Sequence, residues 1–339
     1  MGNSMILYDQ DQKESYVEFG IEIPISGDKK ARIFHHLMSR KDLAEKVTNW
    51  HIDKIYERIS KADLLRVHSS QYVENLCSER LEDEIIRAYE LIDSSGKHHR
   101  YNPAGAMLPL RSLFGRILNK VAGTYQCCTV ALDKKFCFYF GGGMHHAQRG
   151  FGNGFCLVND VVIAIRRLQA EGYIRTAWVI DVDVHKGDGT ASLTEGDASV
   201  KTLSAHMARG WPLDGKPYDE KGLPNPSFIP SDIDIPIAEG EEPVYLARLA
   251  KGLQKMAETP EPDLAVVLLG ADPYEKDELP STGLLNLSLE QLMERDILIY
   301  RFLKDRSIPG AFLMAGGYGK GSWKVYAQFL EWALLDRFC

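Results

Sequence analysis

The sequence predicts an α/β protein with a central, mostly parallel sheet flanked by helices and carrying long active-site loops. Three observations predict it. Short apolar runs rich in β-branched and aromatic residues alternate with longer helical patterns, acids and histidines gather where two of those runs end, and no internal repeat or low-complexity linker divides the chain. At 339 residues two domains would fit, but α/β enzymes of this size often form one, and a single domain over 1–339 is expected.

In chain order, a helical pattern is expected over residues 41–60, followed by an aromatic strand over 136–140. Residues 159–171 place apolar side chains at 161, 162, 165 and 168, a stripe of helical period. Strands follow at 176–181 and 200–204, then a helix at 243–258, a strand at 264–269, a helix at 288–304, a strand at 310–314 and a helix at 322–335. Two stretches lack periodicity, 98–109 and the Gly/Pro-rich 206–230 with its Gly-Trp-Pro and Pro-Asn-Pro. Long loops on a compact domain commonly shape a site.

Composition narrows the function classes. Apolar residues make up 45% and charged residues 26%, as in globular enzymes, and the net charge of −7 without a long basic run argues against nucleic acid as a partner. The same charge allows a cationic substrate. Cys77, Cys127, Cys128, Cys137, Cys156 and Cys339 form no CxxC pair, so neither a disulfide framework nor a thiolate zinc site is indicated, and a reducing cytoplasm fits. No apolar stretch approaches the ~18 residues of a membrane span, so no membrane partner is expected. The polar start lacks a signal-peptide core, and Ile6 stands where a myristoylation motif on Gly2 wants Ser or Thr.

The chemistry concentrates in Gly141-Gly142-Gly143-Met144-His145-His146 and in Asp181-Val182-Asp183-Val184-His185-Lys186-Gly187-Asp188-Gly189. In the second segment Asp181, Asp183 and His185 alternate, so a continuing strand would put all three on one face, at the carboxyl end that opens into the ligand crevice. Asp and His suit a divalent metal, and a third ligand from another strand would leave the open position hydrolysis needs. Asp272, closing the 264–269 run, is the natural third ligand. Taken singly, each fragment has an ordinary reading: a strand-end turn for Asp183 and His185, a helix cap for Asp272, a tight turn for the glycines, a packed or surface side chain for either histidine. The segment Gly316 to Ser322 lacks the spacing of a phosphate loop.

Taken together, these residues resemble the histone deacetylase family of the arginase/deacetylase fold, including its bacterial deacetylase and acetoin-utilisation branches. The likeness runs from about residue 55 to 321 through Leu64 to Tyr72, the GGGMHHA segment, Gly154 to Asp160, DVDVHKGDG, Thr202 to His206, Ile233 to Ile237, LGAD and AGGYG. It implies Zn²⁺ held by Asp183, His185 and Asp272. It further implies His146 as general base and then acid, His145 as its electrostatic neighbour, Asp181 and Asp188 as the carboxylates supporting His145 and His146, and Tyr318 as oxyanion donor. Phe155 and Trp211 would wall a channel suited to the aliphatic stem of an acyl-lysine, lined also by Gly154. A structural K⁺ on Asp181, Asp183, His185, Ser204 and the Ala205 carbonyl is implied as well.

Departures from the family pattern bear on specificity. Lys186 stands where many relatives have a second histidine, Ala315 replaces a glycine, and Met144 occupies the position beneath the metal, where it would set acyl-chain length. Segment 98–109 lacks the acidic rim residue with which many relatives grip a peptide. Leu279 replaces the glutamate of polyamine-specific relatives, favouring acyl-lysine in protein or peptide, although Glu275 and Glu278 lie nearby. The expected activity is removal of an acyl group, acetyl above all, from a lysine side chain. An acetylpolyamine or other small-amide deacylase, a two-manganese ureohydrolase and a silent acyl-lysine binding module are the alternatives.

Overall fold

In a computed structural model, which describes residues 5–12, 15–218 and 221–338, eight parallel strands form one sheet. They are β1 (Ile6–Leu7), β2 (His51–Ile52), β3 (Phe136–Tyr139), β4 (Ala177–Asp181), β5 (Val200–Met207), β6 (Ile233–Ile237), β7 (Leu264–Leu268) and β8 (Gly310–Leu313). Their order is β2-β1-β3-β8-β7-β4-β5-β6. The expectations attached to Gly2 and Cys339 lie outside the described residues.

The alternation of side chains along each strand builds two cores. Trp178, Ile180, Leu203, Val267 and Phe312 point to the face covered by helices Lys29–Ser39, Tyr245–Met256, Leu289–Asp305 and Trp323–Phe338. Ala177, Val179, Val266, Leu268 and Leu313 point to the other, under helices Leu113–Lys134 and Asp160–Ala170. Both faces being covered, the strands read as nearly continuous apolar runs, as buried parallel strands do.

The expected strands appear within a residue or two, except that β5 runs on to Met207. The helix expected over 41–60 does not form. Two short helices, Lys41–Ala44 and Val47–Trp50, end where β2 pairs with β1, and 53–60 is irregular. The backbone there is taken by edge pairing and by side-chain anchors: Ile55 N donates to Asp9 and Tyr56 N to Gln126. Strands β1, β2 and β6, of which β2 and β6 are the sheet edges, and the 22-residue helix Leu113–Lys134 were not among the expected elements.

Strand β4 also stops earlier than an alternating strand over 181–185 requires. After Asp181 the chain bends, with Asp183 N donating to Asp181 Oδ1 (3.1 Å) and His185 N to Asp183 Oδ1 (3.1 Å). Successive side-chain-to-backbone turns, not a pleat, bring Asp183 and His185 toward the same crevice.

Candidate active site

Four adjacent strands, β3, β8, β7 and β4, end at one place, where ligands sit in open α/β sheets. Beyond β3, the glycine turn is held by Asp160, whose carboxylate accepts from Gly143 N (3.0 Å) and Met144 N (2.6 Å). Asp160 opens a helix capped by Asn159, whose side chain accepts from Val162 N (3.0 Å). The segment leads to His145 and His146, buried with ring centroids 3.9 Å apart.

Each imidazole has its own carboxylate. His145 Nδ1 lies 2.6 Å from Asp181 Oδ2, and His146 Nδ1 lies 2.7 Å from Asp188 Oδ1. Burial opposes charge on both rings, but for His145 the Asp181 and Asp183 carboxylates outweigh it and hold the imidazolium up to about 10. For His146 burial wins, helped by the positive neighbour, and lowers its value to about 4. The two rings are therefore pushed in opposite directions, His145 toward its charged form and His146 toward its neutral one.

Asp183, His185 and Asp272 present ligand atoms within 4.8 Å of one another, and so do His145, His146 and Asp183. His185 Nδ1 lies 3.4 Å from Asp183 Oδ1 and 3.6 Å from Asp272 Oδ2, while its Nε2 is 3.2 Å from Ser281 Oγ. Asp272 Oδ2 is buried without a hydrogen-bond partner. Burial and the nearby Asp183 charge push the Asp272 carboxyl up to about 7, a repulsion that a divalent cation between them would relieve. A Cβ on Gly316 would lie 2.5 Å from Asp183 Oδ2, so only glycine leaves that space open. The donor set, the orphaned oxygen and the cleared space fit a metal of the kind Asp and His prefer.

Tyr318, from the loop after β8, is set by its own N–H donating to Asp277 Oδ2 (2.7 Å). Burial and the Asp272 and Asp183 carboxylates push its phenol well above the ordinary value, so it stays protonated. A mouth cavity of about 180 Å³ is lined by His146, Gly154, Phe155, His185, Trp211, Leu279 and Tyr318, with Glu90, Arg100 and Ser281. Trp211 packs edge-on 4.5 Å from the His146 ring centroid, and Phe155 lies 6.3 Å from Tyr318. Gly154 has φ +53, and a Cβ there would meet the Trp211 ring and lie 2.7 Å from His146 Cδ2. Met144 lines an adjoining cavity of about 100 Å³ with Tyr16, Lys29, Lys120 and Tyr318.

Of the residues read as metal-binding or catalytic, His145, His146, Asp183, His185 and Tyr318 line these two cavities, which share His146, Gly154, Phe155, His185 and Tyr318, and so do all five read as channel or acyl-pocket lining. Asp181 and Asp188 stand behind the two imidazoles, and Asp272 stands beside Asp183 and His185. Ser204 and Ala205 sit on β5 beside the end of β4, with Ser204 paired to Asp181 and its hydroxyl accepting from Gly187 N (3.3 Å). Several site residues escaped the sequence reading. The acidic group at the mouth is Glu90, outside segment 98–109, and it pairs with Arg100 (3.4 Å), both at positive φ. Gln148 and Ser227 bond Asp188 from other segments. None lies in a motif, and only the length of loop 206–230 hinted at Ser227.

The fold is the arginase/deacetylase fold. The chain belongs to the histone deacetylase family, whose domain model matches residues 24–332. It is 30% identical to an uncharacterized protein of Picosynechococcus sp., over 77% of this chain and 76% of that one. Histone deacetylase 2 of Arabidopsis thaliana is 26% identical over 96% and 77%, and acetoin utilization protein AcuC of Staphylococcus aureus 28% over 80% and 67%. The crystal structure of an HDAC homolog complexed with SAHA superposes with a TM-score of 0.68 at 23% identity, over 99% of this chain and 83% of that one, a likeness of fold. Membership makes the protein a hydrolase of the deacetylase family.

Proposed function

We propose that the protein is a zinc-dependent amidohydrolase, one domain over 1–339, that removes an acyl group, acetyl above all, from lysine side chains of proteins or peptides. The observation that carries this reading is the pair of adjacent imidazoles, each on its own carboxylate, beside the Asp183, His185 and Asp272 cluster and in one cavity with Tyr318. A silent binding module has no use for that arrangement.

Asp183, His185 and Asp272 would hold the zinc, which when bound supplies Lewis-acid polarisation of the amide carbonyl and acidifies a water. His146, neutral, takes the proton from the attacking water at Nε2, its Nδ1–H held by Asp188. It later returns that proton to the departing lysine amine. His145, kept cationic by Asp181, adds positive charge beside the developing oxyanion. Tyr318 donates its O–H to that oxyanion. Phe155, Trp211 and Gly154 wall the acyl-lysine stem, and Met144 limits acyl length. Asp181, Asp183, His185, Ser204 and Ala205 would hold a structural K⁺ that stiffens this loop, and residence in the cytoplasm suits the buried thiols of Cys127, Cys128, Cys137 and Cys156.

The polyamine reading is the weaker one because Leu279 lines the mouth while the Glu278 carboxylate accepts from Lys320 N (2.9 Å). Turnover of acyl-lysine peptides of graded chain length and of acetylpolyamines, with a chelator control, tests the assignment. Acetyl-lysine peptide is expected to lead the panel, and a strong preference for acetylpolyamine would overturn it.

A further inference from the structure

The carboxylate that steadies His146 is itself steadied from outside every recognised motif. Asp188 Oδ1 accepts from His146, and Asp188 Oδ2 accepts from Ser227 Oγ (2.7 Å) and Gln148 Nε2 (2.9 Å). With both oxygens occupied, the carboxylate plane cannot rotate without breaking a charge-assisted bond. Ser227 belongs to the short turn Pro226–Phe228 in the long loop after β5, and its N–H donates to Asn225 Oδ1 (3.1 Å).

That turn is gripped by a buried cation. The Lys186 ammonium donates to Ile229 O (2.6 Å) and Ser227 O (3.4 Å) and lies 3.9 Å from Asp234 Oδ2. The side chain is only 4% exposed, a costly place for a charge unless carbonyls and a carboxylate surround it. Lys186 and Asp188 leave the same strand-end segment. One segment therefore supplies both the carboxylate and the cation that fastens the hydroxyl partner of that carboxylate.

We propose that Lys186 and Ser227 are positioning residues for the His146–Asp188 pair: the ammonium pins the 226–228 turn through its carbonyls, and the turn presents the Ser227 hydroxyl to Asp188. This rests on the catalytic reading of His146 given above. It assigns a role to the position where many relatives carry histidine, since an imidazole cannot offer three donors to a carbonyl cradle.

The test compares zinc-loaded Ser227→Ala, Ser227→Thr and Lys186→Met with wild type. Ser227→Ala should lower kcat about ten-fold, the usual scale for losing a partner once removed from the reacting groups, with KM and zinc content unchanged. Ser227→Thr, which keeps the hydroxyl, should restore most of it, and Lys186→Met should fall in the same direction as Ser227→Ala without adding to it in the double variant. In an Asp188→Ala background, Ser227→Ala should cost nothing more. A readout independent of turnover is the downfield proton resonance of His146 Nδ1–H, identified by its loss in His146→Ala, which should move in Ser227→Ala. An unmoved resonance with unchanged kcat, or a loss that persists in the Asp188→Ala background, overturns the proposal. Absence of any wild-type amide turnover would sink the catalytic reading instead, while the resonance would still decide the positioning.

Discussion

Tyr318 and Asp183 line one cavity, and the roles proposed for them predict different losses. Tyr318→Phe should keep its zinc and lose ~2 to 4 kcal/mol of transition-state stabilisation, read as a fall in kcat with metal content constant. Asp183→Ala should lose the metal itself, which elemental analysis after dialysis checks. Gly154 tests the channel in another way. Its left-handed backbone and the close approach of Trp211 and His146 leave no room for a methyl group, so Gly154→Ala should displace the tryptophan and raise KM for acyl-lysine peptide. An unchanged KM there would mean that Trp211 is not a channel wall.

At the scale of elements, helix Leu289–Asp305 reaches the site from behind through Arg295. Its guanidinium is fully buried, donates Nη1 to Val182 O (3.1 Å) and Gly270 O (2.8 Å), and pairs by Nε with Asp296 Oδ1 (2.7 Å). One side chain thus ties the ends of β4 and β7, which carry Asp183 and Asp272, to the helix covering them. Arg295→Met should destabilise the protein by ~3 to 5 kcal/mol, because Asp296 and two carbonyls would be left buried without it. Denaturant unfolding measures that loss, and a value near zero would show that water replaces the guanidinium.

The whole molecule carries a pH dependence of its own. His68 is buried and neutral, with Nδ1 2.9 Å from Gln148 O and Nε2 accepting from Asn159 N (3.1 Å), and burial lowers its value from 6.5 to about 4. A depressed folded-state value means the unfolded chain binds the proton first. Its contribution is therefore complete above about pH 6.5 and is lost as pH falls toward 4, by ~3 kcal/mol at ~1.36 per unit. Urea unfolding across that window should show the decline, and His68→Asn should flatten it. By itself the sequence determined the parallel α/β class, the strands β3, β4, β5, β7 and β8, and the acid and histidine segments that the fold brings together, because apolar runs and paired acids and histidines are local patterns. Tertiary structure alone decided that 41–60 is no helix, that the two-residue β1 and β2 and the strand β6 complete the sheet, and that Glu90, Ser227 and Arg295 belong to the site. Those residues act across distances of tens to more than a hundred positions, through hydrogen bonds formed only when separate strand ends and loops are packed together, and no local spacing encodes such a meeting.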